Sequence, residues 1–143
     1  MSKNSDLDEL LLDVLNLAER YQQLQSSEAQ SLRNGFLNLA KYKVSHGIDP
    51  CSFDYRMSSN HSILTKDDQF NLVKDASKKD PLLWFSYLPP QSLKDAQADF
   101  QKSLKIMIEA INTAHELNCK LKDFFKLVIL YFDFDFIETT SGI

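Results

Sequence analysis

The feature that most constrains this fold is a pair of apolar repeats, one in each half of the chain. Within each repeat, apolar residues recur at alternating steps of three and four. This spacing places them at the a and d positions of a heptad, along one stripe of an α-helix. The first repeat is Leu7, Leu10, Val14, Leu17, Tyr21 and Leu24. The second has Leu93, Phe100, Met107, Ala114, Leu121 and Val128 at a, with Ala96, Leu104, Ala110, Ile111, Leu117, Phe124 and Phe125 at d and e.

The first helix is predicted over residues 6–46, with a capping box at Ser5 and Asp8 and with Gly47 after its end. Beyond Leu24 the apolar stripe changes phase, which we interpret as a four-residue stutter within one continuous helix. The alternative is a second helix that begins at Ser26-Ser27. Gly35 is expected to be a weak point, costing up to about 1 kcal/mol relative to Ala. The residues of the new phase are Ala29, Leu32, Phe36, Leu39 and Ala40.

Residues 47–79 are rich in Ser, Asn, Asp and Lys and are predicted to form a flexible linker, with one short helix from Thr65 to Ala76. The second long helix is predicted over residues 92–130, with Ser92 as its N-cap. Since neither helix can bury its stripe alone, the simplest fold is all-α. It is an antiparallel helical hairpin, a coiled coil of two long helices joined by a partly ordered linker, in one domain over residues 1–143. A linker of this length would also allow a parallel pair.

The tail over residues 131–143 continues an aromatic and acidic stretch that begins at Leu127. Its β propensity is high and few residues in it oppose aggregation. The tail could add a strand, form an extended clasp, bind a partner or be a locally divergent end.

Composition excludes several functional classes. The net charge is −4 and the three arginines are scattered, whereas a nucleic-acid-binding protein carries a basic face. No run approaches the roughly 18 apolar residues of a membrane span, and the N-terminus has no apolar leader. We therefore expect no nucleic acid, no secretion and no direct membrane insertion. Cys51 and Cys119 are expected to be isolated, reduced thiols.

The sequence predicts no catalytic chemistry. Glycines occur only at positions 35, 47 and 142, which excludes a phosphate-binding loop. His46, His61 and His115 are dispersed, and we interpret none of them as standing beside a cysteine at metal-ligand spacing. We therefore predict no enzyme, no cofactor and no metal site.

An apolar turn is predicted over residues 80–91, between the linker and the second helix. Asp80 followed by Pro81 is a helix-entry pattern, and Pro89-Pro90 ends the short turn. Trp84, the chain's one tryptophan, lies in its middle. On pattern alone this turn is a hydrophobic lid on the end of the helical hairpin.

The same stretch resembles the signature of the eukaryotic vacuolar-ATPase assembly factor family. These are small peripheral coiled-coil proteins related to human coiled-coil domain-containing protein 115. A second, shorter match runs from Leu37 to Lys41 and is followed by Gly47, and the resemblance covers roughly residues 6–47 and 80–120. The charged coiled-coil end typical of that family is missing here. The matching signature residues are Asp80, Pro81, Leu82, Trp84, Phe85, Leu88, Pro90, Ser92, Leu93, Ala96, Gln97 and Phe100.

The resemblance implies a non-catalytic, chaperone-like assembly factor for the membrane Vo sector of the vacuolar proton pump. Its implied partners are a membrane-spanning assembly factor and, transiently, the pump's large membrane subunit. The implied location is the cytosolic face of the endoplasmic reticulum, with later secretory or endosomal compartments as a further expectation. The alternative function is a generic coiled-coil adaptor or tethering subunit of another complex.

Nine residues are candidates for partner binding or for a structural anchor. Trp84, Phe85 and Leu88 are the preferred anchors, either of the hairpin itself or of the partner, and a structural role is favoured for Trp84. Leu12 and Leu15 lie at f and b heptad positions, outside the seam, where they are either ordinary exposed leucines or a partner contact. The full set is Pro81, Leu82, Trp84, Phe85, Leu88, Pro90, Phe100, Leu12 and Leu15.

Overall fold

The computed structural model describes residues 3–46, 59–85 and 88–140, with the side chains of residues 3 and 134–140 left aside. Two compact units can be distinguished. We call Met1–Gln23 with Asn112–Ile143 the terminal unit, and Leu24–Ile111 the central unit. The elements in chain order are α1 (Lys3–His46), β1 (His61–Lys66), β2 (Gln69–Lys74), a 3-10 helix (Pro81–Trp84) and α2 (Gln91–Thr140).

The two long helices pack against each other in antiparallel directions. In the terminal unit, Lys120 Nζ lies 3.1 Å from Asp13 Oδ2. In the central unit, Asn38 Nδ2 donates a hydrogen bond of 2.8 Å to Asp99 Oδ2. The start of α1 thus pairs with the later part of α2, and the end of α1 with its beginning. The predicted all-α antiparallel hairpin is confirmed, and a parallel pair is excluded.

The seam of α1 keeps one phase along its length, so the predicted stutter is wrong. Beyond Leu24 the buried and half-buried positions continue the original steps of three and four without interruption. Phe36, expected in the seam, is 61 % exposed, and Ala29 and Ala40 are exposed too. The error arose because small and polar residues occupy the true seam, where an apolar pattern cannot reveal them. These seam residues are Glu28, Ser31, Gly35, Asn38 and Tyr42.

The helix also continues without a break through Ser26-Ser27, so one continuous helix is correct and two consecutive helices are not. It is helical from Lys3, three residues before the predicted start, through His46, the predicted last residue. Gly47, which was expected to end the helix, lies outside the described residues.

The seam of α2 follows the predicted a positions, all of which are buried or half-buried. Leu104, Ile111 and Phe125 are exposed instead, because e positions lie at the flank of a two-helix pair. Ser103, which sequence patterning left out, is almost completely buried, with 1 % of it exposed. Its hydroxyl has no hydrogen-bond partner among the described residues.

The helices approach closely where Gly35 meets Phe100. A Cβ added to Gly35 would lie 2.8 Å from Phe100 Cε1. The ring of Phe100 is also held by Phe36, with centroids 5.2 Å apart in an edge-to-face arrangement. The seam therefore needs a residue without a side chain at position 35. The prediction that Gly35 weakens the helix is corrected, since glycine is what allows the two helices to approach here.

A β-hairpin replaces the short helix predicted from Thr65 to Ala76, and the linker is structured over this part. The strands β1 and β2 are antiparallel, with Lys66 paired to Gln69 across a two-residue turn. Both turn residues, Asp67 and Asp68, have positive φ values of 51° and 60°. This is the pattern of a type I′ turn, whose twist matches that of the strands. The Asp-Asp turn and the β-branched residues in the strands beside it favour a hairpin more strongly than the weak helical spacing of this stretch favours a helix.

The second helix begins at Gln91, one residue before the predicted N-cap Ser92. The amides of Leu93 and Lys94 both donate to the carbonyl of Pro90. The helix runs on to Thr140, so a strand or an extended clasp in the tail is excluded for residues 131–140. The reason is that the seam persists through Phe124, Val128 and Tyr131, and helix pairing overrides local β propensity.

We expect Gly35→Ala to lower the free energy of unfolding by about 1 kcal/mol, because overpacking against Phe100 outweighs the gain in helix propensity. Thermal or urea unfolding followed by circular dichroism measures this change. The control is Ser27→Ala, at an exposed position of α1, which should be neutral or slightly stabilising. A Gly35→Ala protein more stable than the wild type would contradict the close approach.

We expect Asp68→Gly to stabilise the hairpin by about 0.5 kcal/mol, because glycine adopts a positive φ without steric cost. Amide hydrogen exchange in β1 and β2 should slow about twofold. Asp68→Val, which places a β-branched residue at the same positive φ, should accelerate exchange. Equal exchange rates in all three proteins would argue against the type I′ turn.

Candidate partner-binding site

Asp80 joins the beginning of the 3-10 helix to α2. Its side chain caps the 3-10 helix, since Oδ1 accepts a hydrogen bond of 3.0 Å from the amide of Leu82. The same oxygen accepts a bond of 2.7 Å from Gln97 Nε2, one and a half turns into α2. The predicted Asp80–Pro81 entry is confirmed. One carboxylate thus fixes the short helix on the long one.

These two donors also hold the pKa of Asp80 below its usual value of 3.8. The amide of Leu82 has the largest effect and Gln97 the next, because both bond to the charged form. Partial burial opposes the shift, and the positive charges of Lys74 and His61 add to it slightly. The Asp80 side chain is therefore a carboxylate anion at neutral pH. The stabilisation that its two hydrogen bonds provide depends on this carboxyl group being ionised.

A pocket of about 270 Å³ lies beside this cap within the central unit. Its walls come from α1, from the chain around the start of β1, from the 3-10 helix and from the first turns of α2. Most of the lining is apolar, and the polar groups are amides, a hydroxyl and one imidazole. The apolar lining residues are Leu39, Pro81, Leu82, Phe85, Leu93, Ala96, Phe100 and Leu104, and the polar ones are Ser59, Asn60, His61, Gln97 and Gln101.

The wall before β1 is built around Asn60, which is buried. Its carbonyl accepts a hydrogen bond of 2.7 Å from the amide of Asp75, closing the open end of the hairpin. Its side-chain Oδ1 lies 2.7 Å from His61 Nδ1. Lys78 Nζ donates to the carbonyl of Ser59 at 3.3 Å. These bonds place the imidazole of His61 at the pocket, a position that the linker composition did not predict.

The structure separates the candidate anchors into two groups. Pro81, Leu82, Phe85 and Phe100 line the pocket. The ring of Phe85 also meets Tyr42 edge-to-face, with centroids 6.4 Å apart.

The remaining candidates of this segment do not line the pocket. Trp84 is half-buried at the end of the 3-10 helix, and Pro90 is half-buried just before α2. Leu88 differs from all of them, since 88 % of it is exposed. Leu83, its neighbour in the segment, is half exposed. Tyr87, which was assigned to the apolar turn, lies outside the described residues.

Leu12 and Leu15 belong to the terminal unit, apart from the other candidates. Both are exposed, as their f and b positions predicted. Their contact with a partner stays a prediction.

The search for metal-ligand pairs in the sequence overlooked His115 and Cys119. They stand four residues apart on α2, and His115 Nε2 lies 3.9 Å from Cys119 Sγ. The prediction that no cysteine stands beside a histidine at metal spacing is therefore wrong. Two groups do not make a metal site, and the part of the chain that the structure describes holds no cluster of three or more such residues. Cys51 lies outside that part.

No helix within the described ranges has the length and apolar character needed to cross a membrane. Comparison of the chain with models of known protein families and with curated proteins finds no match. The function must therefore be argued from the geometry of the site and from the signature residues themselves.

Removing the charge of Asp80 should make the cap insensitive to pH. Since its folded pKa is depressed, the stabilisation is present above 3.8 and is lost as pH falls through the folded value. Asp80→Asn should lower the free energy of unfolding at pH 7 by less than about 1 kcal/mol, because the carboxylate is solvent-screened. The deficit relative to wild type should shrink below pH 3.8.

Unfolding curves recorded across this range measure the effect, and Gln97→Leu provides the control background. Without the Gln97 amide, the same Asp80→Asn change should give a smaller pH-dependent difference. A deficit that stays constant from neutral to strongly acidic pH would show that the charge of Asp80 does not contribute.

Proposed function

We propose that this protein is a non-catalytic assembly factor for the membrane Vo sector of the vacuolar proton-translocating ATPase. In this proposal it acts at the cytosolic face of the endoplasmic reticulum, bound to a membrane-spanning assembly factor. Together the two proteins hold the pump's large membrane subunit while the sector is built. The resemblance of the Asp80–Phe100 segment to this family supplies the identity of the partners.

The observation that carries the proposal is the exposure of Leu88. Most residues of the signature have a structural explanation within the chain, because they form the Asp80 cap or line the pocket. Leu88 belongs to the same signature but 88 % of it is exposed. The described residues leave most of this side chain open to solvent. An exposed apolar side chain within such a signature is suited to contact another protein.

The Asp80 cap gives the 3-10 helix that carries Leu83 a fixed support. The 3-10 helix is bonded at its start to α2, and Phe85 is packed on Tyr42 near its end. A surface held in this way loses little conformational entropy when it binds, which favours affinity. No covalent change is needed for this mechanism. The protein would work by occupying a surface of the partner until assembly proceeds.

The pocket fits this mechanism better than it fits a cofactor. Its volume of about 270 Å³ lies just below the roughly 300–1,000 Å³ of small-molecule sites. Its lining combines an apolar floor with the side-chain amides of Gln97 and Gln101. A recess of this kind accepts one bulky apolar side chain of a partner and pairs with polar groups around it.

The test is affinity capture from detergent-solubilised endoplasmic reticulum, with Leu83→Asp/Leu88→Asp compared with the wild type. Both positions are exposed, so the variant should retain its helical content and melting temperature. We expect wild type to recover a membrane-spanning assembly factor together with the pump's large membrane subunit. The variant should recover both at least about tenfold less, since two buried charges cost several kcal/mol.

The matched control is Val44→Asp/Leu64→Asp, which adds the same two charges at exposed apolar positions of α1 and β1 in the same unit. It should capture partners as the wild type does. If the control fails equally, added charge and not the segment is responsible. Recovery of soluble coiled-coil proteins without any pump component would instead support the adaptor or tether and would reject the assembly function.

A further inference from the structure

The terminal unit exposes a second apolar surface, separate from the Asp80 segment in sequence. Leu12 and Phe132 are its most exposed leucine and phenylalanine, at 61 % and 72 %. Its members stand at heptad positions e, b and f, which adjoin one another on the helix surface. We call this surface the e/b flank, and it consists of Leu11, Leu12 and Leu15 on α1 with Phe125, Ile129 and Phe132 on α2.

The ion pair between Asp13 and Lys120 shows that both halves of the flank lie on one side of the hairpin. Asp13 and Lys120 are both g positions when the seam residues are a and d. In an antiparallel pair, g faces g on one side, and e therefore faces e on the other. Leu11 and Phe125, both e positions, consequently border the same side. Leu15 and Ile129, both b positions, extend it outward.

The hairpin alone covers its own seam poorly in this unit. Among the described seam positions of the terminal unit, Val14 is buried and the others are half-buried. A two-helix layer with an apolar seam and an apolar flank corresponds to half of a four-helix bundle. A second layer placed on the flank would bury both.

At the level of Asp8 and Glu9, the charges beside the flank differ in sign between the two helices. Asp8 and Glu9 are acidic on α1, whereas Lys122 and Lys126 are basic on α2. Nearer the end of α2, Asp133 beside Phe132 is acidic, and all five side chains are exposed. Asp8 and Glu9 precede Asp13 by five and four residues. Because Asp13 pairs with Lys120 and the helices are antiparallel, they lie level with the α2 residues that follow Lys120 by about the same number. The acidic and basic pairs thus lie at similar heights along the hairpin.

We propose that the e/b flank binds a second copy of this chain, forming a twofold symmetric dimer. An occupant must be apolar in its centre, basic where it meets α1 and acidic where it meets α2. The flank itself has this pattern when rotated about a twofold axis parallel to the helices. Each α1 then lies against the α2 of the other copy, and Asp8 and Glu9 face Lys122 and Lys126 twice. The dimer closes after two copies and does not depend on the proposed assembly function.

An anionic lipid surface is a poorer occupant, because Asp8 and Glu9 would be repelled by it. A four-helix arrangement removes this conflict, since each acidic pair meets a basic pair.

Sedimentation equilibrium of the full chain tests the proposal. The weight-average mass of the wild type should rise with protein concentration and approach twice the mass of the monomer. Phe125→Glu/Ile129→Glu should weaken dimerisation at least about tenfold, because it places four like charges in the interface. Leu37→Asp/Val44→Asp, which adds two acidic residues at exposed positions of the other unit, should leave the dimer intact. Circular dichroism should show that both variants remain helical.

Charge reversal tests the orientation of the two copies. Asp8→Lys/Glu9→Lys and Lys122→Glu/Lys126→Glu should each weaken the dimer, and the chain with all four changes should restore it. A wild type that is monomeric at all concentrations overturns the proposal. So does a monomer that co-sediments with vesicles of phosphatidylcholine and phosphatidylserine, which would make an anionic lipid surface the occupant. A dimer equally strong in Phe125→Glu/Ile129→Glu would place the interface elsewhere.

Discussion

The close approach of the two helices between Gly35 and Phe100 is the constraint on which the central unit depends. At this level the seam contains small or polar side chains on both helices, among them Ser31 on α1 and Ala96 and Ser103 on α2. Small residues let the backbones come near enough for the Phe100 ring to fill the remaining space. The pocket lies where this narrow seam opens, with Phe100 in its wall. A wider helix separation would remove both the ring's support and the pocket's floor.

The sequence predicted the helices well, because heptad spacing of apolar residues is a signal of helix pairing. The prediction of the seam was wrong where small or polar residues form the contact between the helices. Every a position of α2 that was read from the repeat is buried or half-buried. Ser103, Gly35 and Asn38 escaped, since a search for apolar residues cannot recognise a seam built from glycine, serine and asparagine. The tail was misjudged for a related reason. Its β propensity is local, whereas the stripe that keeps it helical is shared with a partner helix.

The candidate site was predictable in its chain segment but not in its spatial composition. The helix-entry pattern at Asp80 and Pro81 indicated the 3-10 helix, and the signature contained Gln97. The bond between Asp80 and Gln97 spans seventeen residues, however, and follows from the turn that Pro89 and Pro90 impose. The contribution of Asn60 and His61 could not be foreseen, because the β-hairpin that carries them was taken for a flexible linker. The signal available in the sequence was the adjacent pair Asp67 and Asp68, a residue type that tolerates the positive φ observed at both positions.

The distribution of exposed leucines and phenylalanines separates what the chain needs for folding from what it offers to other molecules. Many of the buried and half-buried residues belong to the seam or to the Asp80 cap and its pocket, whereas Leu83 and Leu88 in one unit and the e/b flank in the other are exposed. Apolar side chains in water give no stability to a monomer and raise its tendency to associate. Their two surfaces also differ in kind. The Asp80 segment presents a few apolar side chains on and just after a 3-10 helix that is bonded to α2, which suits recognition of a different protein. The flank is long, follows the heptad repeat and carries both signs of charge at matching heights. That pattern is complementary to itself, and self-complementarity is what a twofold interface requires.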